Sequence, residues 1–316
     1  MIPEPLRNAL ADSLLWLFWV PFRKTLHLLP KNAAYAVADG LAWAASILLK
    51  RLRRDIAAEL AELLPDRSAA ERDAIAAESI RLDILRRIEE TFMGTFTAET
   101  AAAAVSIEGE EFLQQAAQGG KGTIILLSHF GSFLMILPAL AFRGYAVNQL
   151  AGPPELKHHR RINQLVFRIR EQDYARLPVR FLRADLHIKT MLQALKNNEL
   201  TAMAVDGRIS SSWVPVQFFG RTAWFAPGPV KIAQKTGAAI VPTFIIRERR
   251  NHHRLILSEP VQLEQAADEA AFLQINMQRL AALLEKMIEK HPAHFAMIFH
   301  INRKRGEQSV ERGFFI

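Results

Sequence analysis

The sequence predicts an α/β fold: a central, mostly parallel sheet flanked by helices, preceded by an apolar helical membrane anchor. Three observations support this. Thr123 to Leu127 (TIILL) is an unbroken apolar run, as a strand buried on both faces reads. From Glu110 onward, such runs alternate with helical patterns, which is the order of crossovers between parallel strands. The N-terminal segment is rich in large apolar and aromatic residues and ends in Lys50, Arg51, Arg53 and Arg54, as at the inner side of a membrane.

Composition narrows the partners. A chain of 316 residues can bury a large core. Its 40 Lys and Arg against 32 Asp and Glu give a net charge of +8 and a pI near 9.9. That balance suits an anionic partner: a membrane surface, a phosphorylated substrate, an acidic carrier protein or nucleic acid. The absence of cysteine excludes disulfides, thiolate zinc sites and cysteine nucleophiles, and suits a cytosolic or inner-leaflet setting.

Taken in order, residues 1–50 form the membrane-associating part and residues 51–316 the α/β domain. Leu14 to Val20 (LLWLFWV) has the aromatic content of a membrane interface. Ala33 to Leu49 is about the minimum length to span a bilayer, but it contains Asp39, a costly residue in hydrocarbon. An in-plane helix has the same signature. The alternative is a buried helical hairpin; a cleaved signal peptide is not expected, since no basic segment followed by a compact apolar core and small-residue cleavage site appears. Ile56, Leu60, Leu63 and Leu64 sit at helical spacing up to Pro65. Ser68 and Glu71 form a capping-box pattern that starts a second helix running to Phe92. Both helices are expected to pack without chemistry.

After an alanine-rich connection, Ala101 to Ala104, Glu110 to Ala117 is expected to be a helix and Thr123 to Leu127 a strand. Ser132 is placed to cap a helix over Phe133 to Phe142. Strands are expected over Tyr145–Ala151, Val179–Leu182, Leu200–Val205 and Ala239–Ile246, with Leu255–Leu257 at a hairpin edge. Helices are expected over Glu155–Asp173, His187–Lys196, Pro229–Lys235 and Asp268–Lys290. Val214 to Gly228 reads as a Pro/Gly-punctuated region.

Ligands in open α/β sheets sit beyond the carboxyl ends of the strands. His129 stands there, two residues past the buried run, and Asp206 ends a different strand. A carboxylate beside a histidine fixes its tautomer and raises its basicity, as a general base requires. Taken alone, a lone histidine after a strand is more often a hydrogen-bonded structural residue, and an Asp-Gly is commonly a turn. No P-loop, G-x-G-x-x-G, H-E-x-x-H or G-x-S-x-G pattern occurs. The adjacent pairs His158-His159 and His252-His253 point apart in regular structure and make no metal site. A basic stretch from Lys157 to Arg183, with Arg160, Arg161, Arg168, Arg170, Arg176 and Arg180, is a solvated face or a surface for phosphates or an acidic carrier. It lacks the aromatic interleaving of a nucleic-acid module, so no nucleic-acid partner is expected.

Gly120 to Phe133 (GKGTIILLSHFGSF) resembles the histidine block of the bacterial lipid A biosynthesis acyltransferases, within the wider lysophospholipid acyltransferase group. Val214 to Arg221 (VPVQFFGR) and Ala226 to Phe244 resemble their second signature, and His291 to Arg303 their closing segment. The resemblance implies acyl transfer from an acyl carrier protein or coenzyme A thioester to a hydroxyl of a glycolipid or lysolipid, at the cytoplasmic face of the inner membrane. No further cofactor or metal is implied. His129 would be the general base, with Asp206 as its acid partner. Backbone N–H groups near Gly131 would be one source of oxyanion stabilisation, and Ser132 would bind ring or substrate. Arg161, Arg170, Arg208 and Arg221 would contact substrate phosphates or the carrier.

One departure stands out. The family places an acidic residue after His and four further positions, and this chain has Leu134 there. Either another carboxylate, Asp206 first, orients the imidazole, or the chain is a catalytically impaired lipid- or carrier-binding paralogue. A soluble hydrolase pairing His129 with Ser132 is a weaker third reading.

Overall fold

The computed structural model describes residues 4–151, 160–183, 187–207, 210 and 212–301. The N-terminal segment comprises α1 (Glu4–Leu17), a π-helical turn over Phe18–Phe22 that accommodates Pro21, α2 (Arg23–Leu28) and α3 (Lys31–Leu48). Proline lacks an N–H and displaces the preceding carbonyl, which favours such a widened turn. α4 (Lys50–Leu63) and α5 (Ala69–Thr91) follow. α5 starts on the expected capping box: Glu71 N–H donates to Ser68 Oγ at 3.2 Å, and Ser68 N–H to Glu71 Oε2 at 2.7 Å.

The packing of α3 is inverted for a helix in water. Apart from Tyr35 its buried residues are small, Ala34, Ala38, Ala42 and Ser46 at four-residue spacing. Ala34, Ala38 and Ala42 share a core with Leu26 of α2 and with Leu85, Ile88 and Phe92 at the end of α5. The large apolar residues Val37, Leu41, Trp43, Ile47 and Leu48 face outward, with Trp43 62% and Leu48 76% exposed. Asp39 is ion-paired with Arg81 of α5, so its charge is met by the protein. Among the described residues no single helix is long and apolar enough to cross a membrane; only α3 and α4 together would pass by composition, and they are bent by 76°.

The alanine-rich stretch is a helix, not a connection. α6 (Ala98–Ala104) is capped by Thr97, whose Oγ1 accepts from Thr100 N–H at 3.2 Å, and leads directly into strand β1 (Val105–Glu108). Alanine's helix propensity, once capped, decides that segment. Then come α7 (Glu110–Gln118), β2 (Thr123–Leu127), a 3-10 turn (Phe133–Met135), α8 (Ile136–Phe142) and β3 (Val147–Ala151). α9 (Arg161–Tyr174) follows; residues 155–159 of the helix expected there lie outside the described residues. β4 (Val179–Arg183), α10 (Ile188–Lys196) and β5 (Leu200–Ala204) stand where the sequence puts them.

The Pro/Gly-punctuated region is a hairpin of β6 (Val214–Phe218) and β7 (Arg221–Phe225). Its two turn residues, Phe219 and Gly220, have φ of 52° and 68°, the left-handed pair that matches strand twist in a two-residue turn. Pro215 is tolerated because the hairpin is a separate two-stranded sheet with a free edge. α11 (Gly228–Thr236), β8 (Ala239–Arg249), β9 (His252–Leu257) and α12 (Glu269–Lys290) follow, then a 3-10 turn (Pro292–His294) and helical residues 296–301, the last described. α12 holds the hairpin: Gln217 N–H donates to Gln278 Oε1 at 2.7 Å, and Gln278 Nε2 returns to Gln217 O at 2.8 Å.

The main sheet has the order β1-β9-β8-β2-β5-β3-β4, parallel at every junction except β8–β9. β2 lies in its middle and is buried along its length. Its alternation sends Ile124 and Leu126 into one core and Ile125 and Leu127 into the other, so both faces are covered.

Candidate active site

The register of β2 and β5 builds the site. Leu127 lies opposite Ala204 in a parallel ladder, so two residues further on each strand place His129 beside Asp206. Both carboxylate oxygens of Asp206 are used on this one residue. His129 backbone N–H donates to Oδ2 at 2.9 Å, and His129 Nδ1 is 3.1 Å from Oδ1. An ionised carboxylate only accepts, so the proton of the ring sits on Nδ1 and Nε2 is left as the basic nitrogen. The Asp206 side chain is fully buried while that of His129 is 43% exposed, so the carboxylate is fixed and the ring open on one side.

The loop carrying His129 is tied down residue by residue. Phe130 is buried and its ring stacks on His294 with centroids 5.5 Å apart. Gly131 has a φ of +60° and donates its N–H to His294 O at 3.0 Å; a Cβ there would run into the carbonyl oxygen of Ile245. Only glycine fits both demands. Ser132 does not cap the following helix. Its buried hydroxyl donates to Glu89 Oε2 at 2.8 Å instead.

α5 is more than packing. Beside His129 and Gly131, a small cleft of about 20 Å³, room for roughly one water, is walled by Asp83 and Arg86 of α5, Arg247 of β8 and His294. The Arg86 guanidinium lies 5.4 Å over the Phe133 ring, and that ring meets His129 edge-on at 4.9 Å. Burial pushes the Asp83 carboxyl up, but Arg86 and Arg87 outweigh it and hold it below its ordinary value. Deeper lies Glu89, with Arg247 Nη2 at 2.6 Å and His253 Nε2 at 3.0 Å, the latter off the line of a good hydrogen bond. Burial raises the Glu89 carboxyl, yet Arg247 and then His253 bring it down to about 2. His294 accepts from Arg247 N–H at Nε2, 3.1 Å away. Its burial, reinforced by His291, Arg247 and His253, lowers its pKa to about 3, so the ring is neutral.

The expected arginines are dispersed. Arg170 is ion-paired with Glu90 at 2.6 Å and lies over Tyr174; Arg221 is ion-paired with Glu62 at 2.7 Å. Arg161 lines, with Trp16, Leu17 and Leu165, a hollow of about 880 Å³ between α1 and α9. Arg208 and the pair His158-His159 lie outside the described residues. Leu134 packs partly buried against the core beneath α8. Among the described residues no cluster of three or more His, Cys, Asp or Glu could hold a metal ion. The cations beside His129, Arg86 and Arg247, were not singled out by the sequence. Arg86 sits one turn before Glu90 on a helix with an ordinary amphipathic pattern, and Arg247 in the charged end of an apolar strand.

Fold and site together define a class: α/β proteins with a hydrogen-bonded histidine–carboxylate pair at the carboxyl edge of a parallel sheet. The model of the family described as "Bacterial lipid A biosynthesis acyltransferase" matches residues 5–303, and this chain belongs to that family. It is also similar to the phosphatidylinositol mannoside acyltransferase of Mycobacterium tuberculosis (strain CDC 1551 / Oshkosh), with 26% identity over 197 residues, 61% of this chain and 58% of the relative. The protein of that name from strain ATCC 25618 / H37Rv matches with the same figures, so the alignment spans somewhat more than half of the length of either relative.

Proposed function

We propose that this chain transfers a fatty acyl group from an acyl carrier protein or coenzyme A thioester to a hydroxyl of a membrane glycolipid or lysolipid, with lipid A-type acceptors favoured. The observation behind this reading is the His129–Asp206 pair, at 3.1 Å, in a chain of an acyltransferase family. Nε2 of the half-exposed His129 ring takes the proton of the acceptor hydroxyl while the hydroxyl oxygen attacks the thioester carbonyl carbon. The tetrahedral intermediate collapses as the C–S bond breaks, and the proton held on the imidazolium goes to the leaving thiolate. Asp206 fixes the tautomer and meets the transient positive charge. It thereby takes the part of the acid missing at Leu134, and so the catalytic reading is favoured over that of an impaired binding paralogue.

The outward apolar face of α3 supports a location in the plane of the cytoplasmic leaflet of the inner membrane, beside the lipid acceptor. The test is transfer from radiolabelled acyl-carrier thioester to membrane lipids by purified protein. His129→Ala is expected to abolish it, and Asp206→Asn to slow it on the order of 10⁴-fold, as for other acid partners of a catalytic histidine. Equal product from the wild type and His129→Ala would remove His129 from the chemistry; no product from any of them would leave a binding protein.

A further inference from the structure

The chemistry of acyl transfer tolerates little displacement of the base: about 1 Å of misplacement can cost on the order of 100-fold. A histidine on a loop beyond a strand is poorly placed to meet that demand unless the loop is held. Here Asp206 grips only the first half of the loop, through His129 itself. The second half ends at Ser132, and what it meets is a buried polar cluster that the proposed reaction leaves unexplained.

Glu89, Arg247 and His253 are all buried, with 1%, 9% and 0% exposure. They come from α5, β8 and β9, three elements brought together far inside the fold. Charges are expensive there, and a well-packed apolar trio would serve stability as well or better. The cluster therefore calls for a reason other than folding energy. Its direct link to the histidine loop is the Ser132 hydroxyl, which donates to Glu89 Oε2 at 2.8 Å and accepts from Arg247 Nη2 at 3.2 Å. Arg247 further fixes the loop through its own backbone: its N–H donates to His294 Nε2, while His294 O accepts from Gly131 and the His294 ring stacks on Phe130.

We propose that Glu89 and Arg247, acting through Ser132 and His294, are positioning residues that clamp the His129 loop in the geometry needed for acyl transfer. Both are buried and act through the loop. Ser132 is the joint: it couples a rigid ion pair to the loop with two hydrogen bonds, and Gly131 lets the backbone close down on Ile245 to reach it. The clamp supplies from α5 a carboxylate that holds the loop, while Asp206 supplies the one that holds the ring.

This inference rests on the proposed acyl transfer, and the experiment separates the two. Ser132→Ala removes the joint but leaves the Glu89–Arg247 pair at 2.6 Å intact, so the fold is kept. Expected are a melting temperature within about two degrees of wild type, kcat lowered at least tenfold, and both KM values within twofold. Glu89→Gln, which still offers Ser132 an acceptor, is expected to retain more kcat than Glu89→Ala. The second measurement needs no turnover. The Nδ1–H resonance of His129 is expected to be sharp in the wild type, broadened in Ser132→Ala, and absent in the His129→Ala control used for assignment. Wild-type transfer with an unchanged kcat and a sharp resonance in Ser132→Ala would overturn the clamp alone. Absence of transfer in the wild type would overturn the proposed reaction, and the resonance would still decide the clamp.

Discussion

At the scale of single residues, the site is a set of buried groups whose charge states are imposed by their neighbours. His294 shows this most plainly. Burial, then the charges of His291, Arg247 and His253, lower its pKa from 6.5 to about 3. The ring is neutral in the folded chain and accepts from Arg247 N–H, whereas the unfolded chain takes up a proton below pH 6.5. The stability it contributes is thus complete above pH 6.5 and declines as pH falls toward 3. The slope is about 1.4 kcal/mol per pH unit for one ring. Glu89, lowered from 4.5 to about 2, weakens the fold only in more acidic solution, below about pH 4.5. Between pH 6.5 and 4.5 His27 and His291, also lowered by burial, add to the same slope, so His294 is isolated by comparing urea titrations of the wild type with those of a His294 variant. His294→Gln keeps an acceptor for Arg247 and is expected to flatten the acid slope by about one proton. Parallel curves for the two proteins would show that the ring takes a proton in the folded state. Sequence reasoning found His129 and Asp206 because each ends an apolar strand. It missed Glu89 and Arg247 because a charged residue at the end of an amphipathic helix or strand carries no mark of the burial it meets.

At the scale of elements, α5 and α3 do opposite things with their faces. α5 ends in Glu89, Glu90 and Thr91, and each ties a different part of the fold. Glu89 holds the histidine loop, Glu90 meets Arg170 of α9, and the Thr91 carbonyl accepts from Arg23 of α2 at 3.2 Å. Two carboxylates at a helix C-terminus oppose the helix dipole, and the surrounding arginines offset that. α3 buries alanines against α5 and turns Leu41, Trp43 and Leu48 outward. Each such side chain entering hydrocarbon contributes about 1.5–3 kcal/mol, enough for a few together to hold a peripheral protein. The double variant Leu41→Asp with Trp43→Asp is expected to keep its melting temperature, since both positions are exposed, and to lose flotation with anionic liposomes. Undiminished flotation would place the lipid contact elsewhere. The hairpin β6–β7 and helix α6 were illegible for a local reason: Pro215 argues against a strand, and four alanines carry no amphipathic signal.

At the scale of the whole molecule, the N-terminal helices share the protein's interior. Leu26, Ala34, Ala38 and Ala42 complete a core with Leu85, Ile88 and Phe92, and Arg23 reaches Asp173 of α9 with two hydrogen bonds of 2.8 Å. A chain cut to residues 50–316 is accordingly expected to aggregate or melt well below the intact protein. A soluble, monomeric fragment with an unchanged melting curve in size-exclusion and thermal experiments would show the helices to be a detachable anchor. By itself, the sequence determined the alternation of strands and helices, the parallel centre of the sheet, and the placing of His129 and Asp206 at strand ends. These depend on periodicity and on turn residues, which are local. Only the tertiary structure decided that the two meet at 3.1 Å, that Ser132 turns to Glu89, and that Arg86 and Arg247 stand beside the histidine. Those contacts join residues distant in the chain, 43 positions for Ser132 and Glu89 and 77 for His129 and Asp206, and their partners are chosen by strand order and helix packing, which no local pattern encodes.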